Sequence, residues 1–335
     1  MRIEAPARAV VWAYGRSRFG DVASLASDDL RRARRPRPGA GPVGLVVGRR
    51  ARGVRVLDAS LPGDAGPLPV RVYSPADPGP MPLPVVVHFH GGGWAIGDHR
   101  SADWLCSGIA VRLGVVVASV GYRLAPEHPA PAAALDCFAA TRHLAVRPAA
   151  LGGGLEVDAA RIAVMGDSAG GNLAAVVALQ ARDAGGPRLA AQVLIYPGTD
   201  ATLASPSLYR LAAGPALTLR DIHAYLRHYL GEDGDPRDPL ISPLLAPSHA
   251  GLAPALIQTA EHDPLVDDGS RYAAVLRAAG VPVRYTCYLG AMHGYTSVAG
   301  ISRVAAQARS EIEEYLALAL GLPAPVPGPQ GRPLG

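Results

Sequence analysis

The 335-residue chain contains no lysine, so all 32 of its basic residues are arginine. Its three cysteines, Cys106, Cys137 and Cys287, stand far apart without a CxxC pair. That spacing excludes a disulfide framework or a cysteine-ligated zinc site and suits a reducing compartment. Aromatic residues make up only 5% and charged residues 18%. Packing therefore falls to Ala, Val and Leu, and an apolar content of 49% excludes a disordered chain. No stretch approaches the ~18 apolar residues of a membrane span, and the opening MRIEAPARAVVWAYGR lacks the long apolar segment of a signal peptide. These absences predict a soluble, cytoplasmic protein without stable membrane insertion.

Charge is unevenly placed. Thirteen of the arginines lie in residues 1–55 beside four acids, which leaves that segment at +9 and the remainder at −5. The densest run, RRARRPRP with Arg31, Arg32, Arg34, Arg35 and Arg37, is interrupted by prolines that disfavour a groove-binding helix. It reads as a solvated, mobile connection, and no nucleic-acid partner is expected.

Along the chain, short apolar runs alternate with longer helical patterns, which predicts a mostly parallel sheet wrapped by helices. Strands are expected at 54–61, 68–74, 84–89, 115–120, 161–166, 191–197, 254–260 and 281–288, about eight in all. Helices are expected from about 101 and at 130–146, 169–183, 267–279 and 300–319. The fold class is therefore α/β. More than fifty residues separate the strands ending near 197 and starting near 254, far beyond an ordinary connecting loop of roughly 2–6 residues. This implies an insertion at 198–253 whose amphipathic TLRDIHAYLRHYL forms, with 1–53, a helical cap over the carboxyl edge of the sheet. The core then comprises 54–197 and 254–320, and 321–335 is expected to be disordered.

Gly166-Asp167-Ser168-Ala169-Gly170 fits G-x-S-x-G between an apolar strand and an alanine-rich helix. A serine on that strained turn projects above the sheet edge, and flanking glycines remove the Cβ atoms that would clash there. Serine needs a base to take its proton and a carboxylate to orient the base. His223 and His228 lie in the insertion, His249 in a proline-flanked loop and His262 between two acids, whereas His293 follows the last expected strand and would overhang Ser168. The strand PALIQTA runs into Glu261, Asp263, Asp267 and Asp268. Asp263 leaves the strand end before Pro264 and is the expected acid, while Asp267 and Asp268 read as first-turn capping residues of the next helix. Oxyanion donors are expected from the amides of Gly92 and Gly93 in His90-Gly91-Gly92-Gly93-Trp94 and from Ala169. A phosphate loop is excluded, because it would end in Gly-Lys-Ser/Thr. Trp94, Tyr122, Tyr196 and Leu265 are candidates for the substrate pocket, and Asp98 and His99 for contact with the cap.

HGGGW at 90–94, GYRLAPEHPAPAA at 121–133, GDSAGGN at 166–172, DPLVDDG from Asp263 and HGY at 293–295 together resemble the hormone-sensitive lipase-like, bacterial type IV, branch of the α/β-hydrolase esterases over roughly residues 54–320. The resemblance implies carboxylic ester hydrolysis by Ser168, His293 and Asp263 and an oxyanion hole from Gly92, Gly93 and Ala169. It also implies His90 and Gly91 as loop organisers, no cofactor, no metal, a small-molecule ester substrate of short to medium acyl chain, and a homodimer paired along 281–288. Activity is expected to fall toward low pH as His293 takes a proton. The same triad chemistry serves amidases, deacetylases and acyltransferases acting on a specialised natural product, and a catalytically silent small-molecule-binding protein is the alternative of another class.

Overall fold

A computed structural model describes residues 3–4, 30–32, 34 and 43–325. Most of the expected arm at 1–53, including Arg35 and Arg37, and residues 326–335 of the expected tail lie outside them.

Eight strands form one sheet: β1 (Val54–Gly63), β2 (Gly66–Pro75), β3 (Leu83–Phe89), β4 (Val116–Val120), β5 (Val157–Asp167), β6 (Leu189–Ile195), β7 (Ala255–His262) and β8 (Val283–Met292). Their order is β1-β2-β4-β3-β5-β6-β7-β8. β1 and β2 are an antiparallel pair, β2 meets β4 antiparallel, and every later pairing is parallel. Every residue of the central strand β3, LPVVVHF, is buried. That is the pattern of a strand covered on both faces, whereas the peripheral β1 mixes buried and exposed positions.

The helices are α1 (Val43–Val47), α2 (Asp103–Leu113), α3 (Ala132–Val146), α4 (Ala169–Asp183), α5 (Pro206–Arg210), α6 (Leu219–Leu230), α7 (Val266–Ala278) and α8 (Arg303–Ala319). One core lies between the sheet and α3, α4 and α7, and holds Cys137, Leu144, Leu173, Val177, Tyr272 and Leu276. The other is closed by α2 and α8 through Leu105, Ile109, Val304, Ile312 and Leu316. Each such aliphatic side chain contributes roughly 1.5–3 kcal/mol through removal from water, so small aliphatics suffice in a chain poor in aromatics.

Three boundaries differ from the sequence expectation by three residues or more. β5 begins at Val157 rather than 161, because Val157 pairs with Leu83 before a register shift. The last helix begins at Arg303 rather than 300, with Ser302 as its N-cap accepting from the Ala305 N–H. β8 continues to Met292 rather than ending at 288, its Gly290 N–H donating to Glu261. This extension delivers His293 directly from the strand end.

Residues 198–253 run from β6 to β7 and carry α5 and α6. Thr218 begins α6 with a capping box: its hydroxyl accepts from the Asp221 N–H, and the Asp221 carboxylate accepts from the Thr218 N–H. The helix then buries Ile222, Leu226 and Tyr229 on one face against the main core and Ala224 on the other against Leu30.

Candidate active site

β5 passes into α4 with only Ser168 between them. Ser168 has φ 56° and ψ −119°, and its N–H donates to the Ile195 carbonyl at 2.8 Å. Gly166 and Gly170 make the turn possible, since a Cβ at Gly166 would collide with the Gly170 carbonyl and one at Gly170 with the Phe89 carbonyl. The tight pass of α4 over β3 raises Ser168 above the carboxyl edge.

His293 leaves β8 at the same edge, and Asp263 leaves β7 beside it. Ser168 Oγ lies 2.9 Å from His293 Nε2, and His293 Nδ1 lies 2.7 Å from Asp263 Oδ2. The carboxylate accepts from Nδ1–H, which leaves Nε2 as acceptor of the serine proton. Asp263 is fully buried, and its other oxygen accepts from the Leu265 N–H at 2.9 Å. The Tyr196 ring packs 4.8 Å from the imidazole, and its hydroxyl is hydrogen-bonded to Thr296 Oγ1.

The glycine loop after β3 is folded against the serine turn by Asp167, a residue the motif leaves unspecified. Its Oδ1 accepts from the Gly91 N–H at 3.1 Å. His90 Nδ1–H donates to the Gly91 carbonyl at 2.8 Å, and its ring stacks on Tyr122 at 4.3 Å. Burial pushes the His90 imidazole down to about 4, so it is neutral at ordinary pH. The Tyr122 hydroxyl donates to the His90 carbonyl at 2.6 Å. Tyr122 therefore lies under the loop and not among the pocket-lining residues, contrary to expectation, because its hydroxyl finds an acceptor there when buried. The N–H groups of Gly92, Gly93 and Ala169 make no hydrogen bond among the described residues. Gly92 sits at φ 119° with no room for a Cβ, which would meet the Ile96 carbonyl.

A cavity of about 410 Å³ opens on these groups. Ser168, His293, Gly92, Gly93 and Ala169 line it, as do the expected Trp94, Tyr196 and Leu265 and also Leu203, Leu217, Ile222, Leu226 and Ile241. Among the described residues, the non-glycines with positive φ are Trp94, Ser168, Tyr196 and Leu203, and all four line this one cavity. Such backbone costs of order 1–3 kcal/mol per residue and persists where surrounding contacts over-determine it.

Two carboxylates from the start of α7 hold the segment after β6 that forms part of this wall. Asp267 and Asp268 stand in the first turn of α7 as expected, but their side chains do not cap it, the N-cap being Leu265. Asp268 is buried and accepts from the Thr199 N–H at 2.8 Å, the Asp200 N–H at 3.1 Å and the Ser205 hydroxyl. Asp267 accepts from the Ser207 N–H at 2.8 Å. The loop after β6 presents buried donors that need acceptors, and these side chains turn to meet them. Desolvation is the largest influence on Asp268 and pushes its carboxyl up to about 7, against the hydrogen bonds it accepts.

The arginine-rich segment is also more than a solvated connection where it is described. Arg34 donates to the Ala95 carbonyl at 2.8 Å and the Ala125 carbonyl at 2.7 Å, and forms an ion pair with Glu127 at 2.6 Å. Leu30 is buried against Ala224, Ile96 and Tyr225. His99 lies beside β2 and the β4 end, since a Cβ at Gly121 would lie 2.8 Å from its Nδ1, and Asp98 accepts from the Arg100 N–H at 2.7 Å. The roles of Arg34 and Leu203 had no sequence motif, whereas Asp167 inside GDSAG and Asp268 inside DPLVDDG lie in motifs that do not say what their carboxylates bind.

Residues 86–297 match the family described as alpha/beta hydrolase fold. Esterase LipI of Mycobacterium tuberculosis is 45% identical over 258 residues, covering 76% of this chain and 79% of that protein. The ethyl acetate hydrolase of Pseudomonas putida is 39% identical over 262 residues, covering 77% and 80%. The solved structure of the hyperthermophilic esterase of Pyrobaculum calidifontis matches with a TM-score of 0.84 at 35% identity, covering 96% of this chain and all of that one. The chain thus belongs to the α/β-hydrolase fold family, in its hormone-sensitive lipase-like branch of esterases.

Proposed function

We propose that this carboxylesterase cleaves short- to medium-chain acyl esters through a Ser168–His293–Asp263 triad and an acyl-enzyme. The observation that carries the reading is the unbroken contact series, 2.9 Å from Ser168 Oγ to His293 Nε2 and 2.7 Å from Nδ1 to Asp263. His293 takes the serine proton as Oγ attacks the ester carbonyl, then returns it to the leaving alcohol. Asp263 orients the imidazole and stabilises the imidazolium that forms. Water repeats the cycle on the acyl-enzyme, with His293 again as base. The oxyanion is met by the N–H groups of Gly92, Gly93 and Ala169, each worth roughly 100 to 1000-fold in rate.

The same reading makes residues 198–253, together with the segment around Arg34, a cap, because Leu217, Ile222, Leu226 and Arg34 all line the cavity over Ser168. It places the enzyme in the cytoplasm, in keeping with its three unpaired cysteines. Among the described residues no helix is long and apolar enough to cross a membrane. A homodimer paired along β8 is favoured by the position of that strand at the sheet edge.

Hydrolysis of p-nitrophenyl esters from acetyl to palmitoyl, beside Ser168→Ala and an anilide of the best acyl group, tests the proposal. Turnover of short and medium esters that Ser168→Ala abolishes is expected. Activity that survives Ser168→Ala, or turnover of the anilide in preference to the esters, would overturn it.

A further inference from the structure

A groove of about 460 Å³, more open to solvent than the catalytic cavity, lies beside it along α6. Ala201, Leu203 and Leu226 line both, so these three side chains form the partition between them. Beyond the partition the walls continue with the apolar Leu230 and end at the cationic Arg227 and Arg237.

We propose that Leu203 is the residue that sets the longest acyl chain the enzyme accepts. This rests on the ester-hydrolase reading of the Ser168 site. The catalytic cavity has an apolar lining of Leu217, Ile222 and Leu226, suited to an acyl tail. A tail growing past them meets the partition, of which Ala201 is too short to obstruct it and Leu226 is fixed on a helix.

Leu203 stands on a loop in left-handed backbone, φ 61°, which turns its side chain into the wall. That conformation is held from both sides. The Leu203 carbonyl accepts from the Tyr209 hydroxyl at 3.2 Å. The preceding Asp200 is anchored by Arg271 at 2.8 Å, and its N–H by Asp268 at 3.1 Å. The partition is therefore a positioned side chain and not a loose one. Removing its branched end opens the catalytic cavity into the groove along α6.

The test is kcat/KM of the full chain on p-nitrophenyl esters from acetyl to palmitoyl, for the parent, Leu203→Ala and Leu203→Phe. Each methylene buried in an apolar pocket changes discrimination by about tenfold or more. Leu203→Ala is thus expected to raise the laurate-to-acetate ratio by at least about tenfold, and Leu203→Phe to lower it and move the cut-off to shorter chains. Leu226→Ala, on the other side of the partition, is expected to act in the direction of Leu203→Ala and serves if Leu203→Ala fails to fold. An unchanged ratio in folded variants whose acetate hydrolysis still depends on Ser168 overturns this proposal and leaves the hydrolase reading standing. Absence of Ser168-dependent hydrolysis in the parent overturns both.

Discussion

The floor and the roof of the catalytic cavity are built by opposite means. In the floor, backbone touches backbone: α4 crosses β3 so closely that Gly166 and Gly170 leave no room for a Cβ, and the glycine loop is pinned to the serine turn by Asp167. In the roof, side chains from distant parts of the sequence hold a loop and a helix in place. Asp268 carries the backbone of Thr199 and Asp200, and Arg34 ties its segment to Ala95, Ala125 and Glu127. A floor of this kind fixes where bonds are broken. A roof of this kind decides what reaches them, and can change one tether at a time.

The contrast predicts that substitutions in the floor act on turnover and folding, and that those in the roof act on binding and on stability in a pH-dependent way. The largest effect belongs to the triad. Ser168→Ala should lower kcat by about a millionfold, and Asp263→Asn by about ten-thousandfold with little change in fold, measured by ester hydrolysis and circular dichroism. Next is Gly170→Ala, whose new Cβ strikes the Phe89 carbonyl. Since neither backbone can yield cheaply, a loss on the order of 3–5 kcal/mol is expected in urea unfolding. A loss under about 1 kcal/mol would show that the floor is more pliant than its geometry implies.

The floor was legible in the sequence because its determinants are contiguous. HGGGW and GDSAGG carry their own glycines, and His293 and Asp263 follow strand ends that apolar patterning reveals. The eight strands were legible for the same reason. The roof was not, because its contacts join residues far apart: Thr199 and Asp268 are separated by 69 positions and Arg34 and Ala125 by 91. Asp267 and Asp268 occupy a helix start where capping is the local expectation, and only the loop after β6 reveals that they accept its N–H groups. Tyr122 was misplaced on similar grounds, since nothing local shows that its ring stacks on His90.

In the roof, Asp268 gives the sharper test. Its folded-state carboxyl is pushed from the ordinary 3.8 up to about 7 by burial. Between those values the folded chain keeps a proton that the unfolded chain has released, so this group makes stability fall as pH rises through about 4 to 7. Asp268→Asn resembles the protonated acid and should flatten that slope in urea titrations at several pH values. Asp268→Ala, which strands two N–H groups and a hydroxyl, should lose about 2–3 kcal/mol. An unaltered slope in Asp268→Asn would remove this carboxyl from the account. The smallest effect is expected of Arg34→Ala. Its partly exposed ion pair contributes less than about 1 kcal/mol, so Tm should scarcely move while KM rises several-fold with kcat nearly constant. A fall in kcat at constant KM would assign Arg34 to the floor instead.

The most direct measurement of the central claim is covalent: treat the full chain with a fluorophosphonate and locate the adduct by peptide mass spectrometry, in the parent and in Ser168→Ala. The geometry predicts a single phosphonyl group on Ser168, formed in step with loss of ester hydrolysis and absent from Ser168→Ala. An adduct on another residue, or hydrolysis that continues after Ser168 is fully labelled, would contradict it.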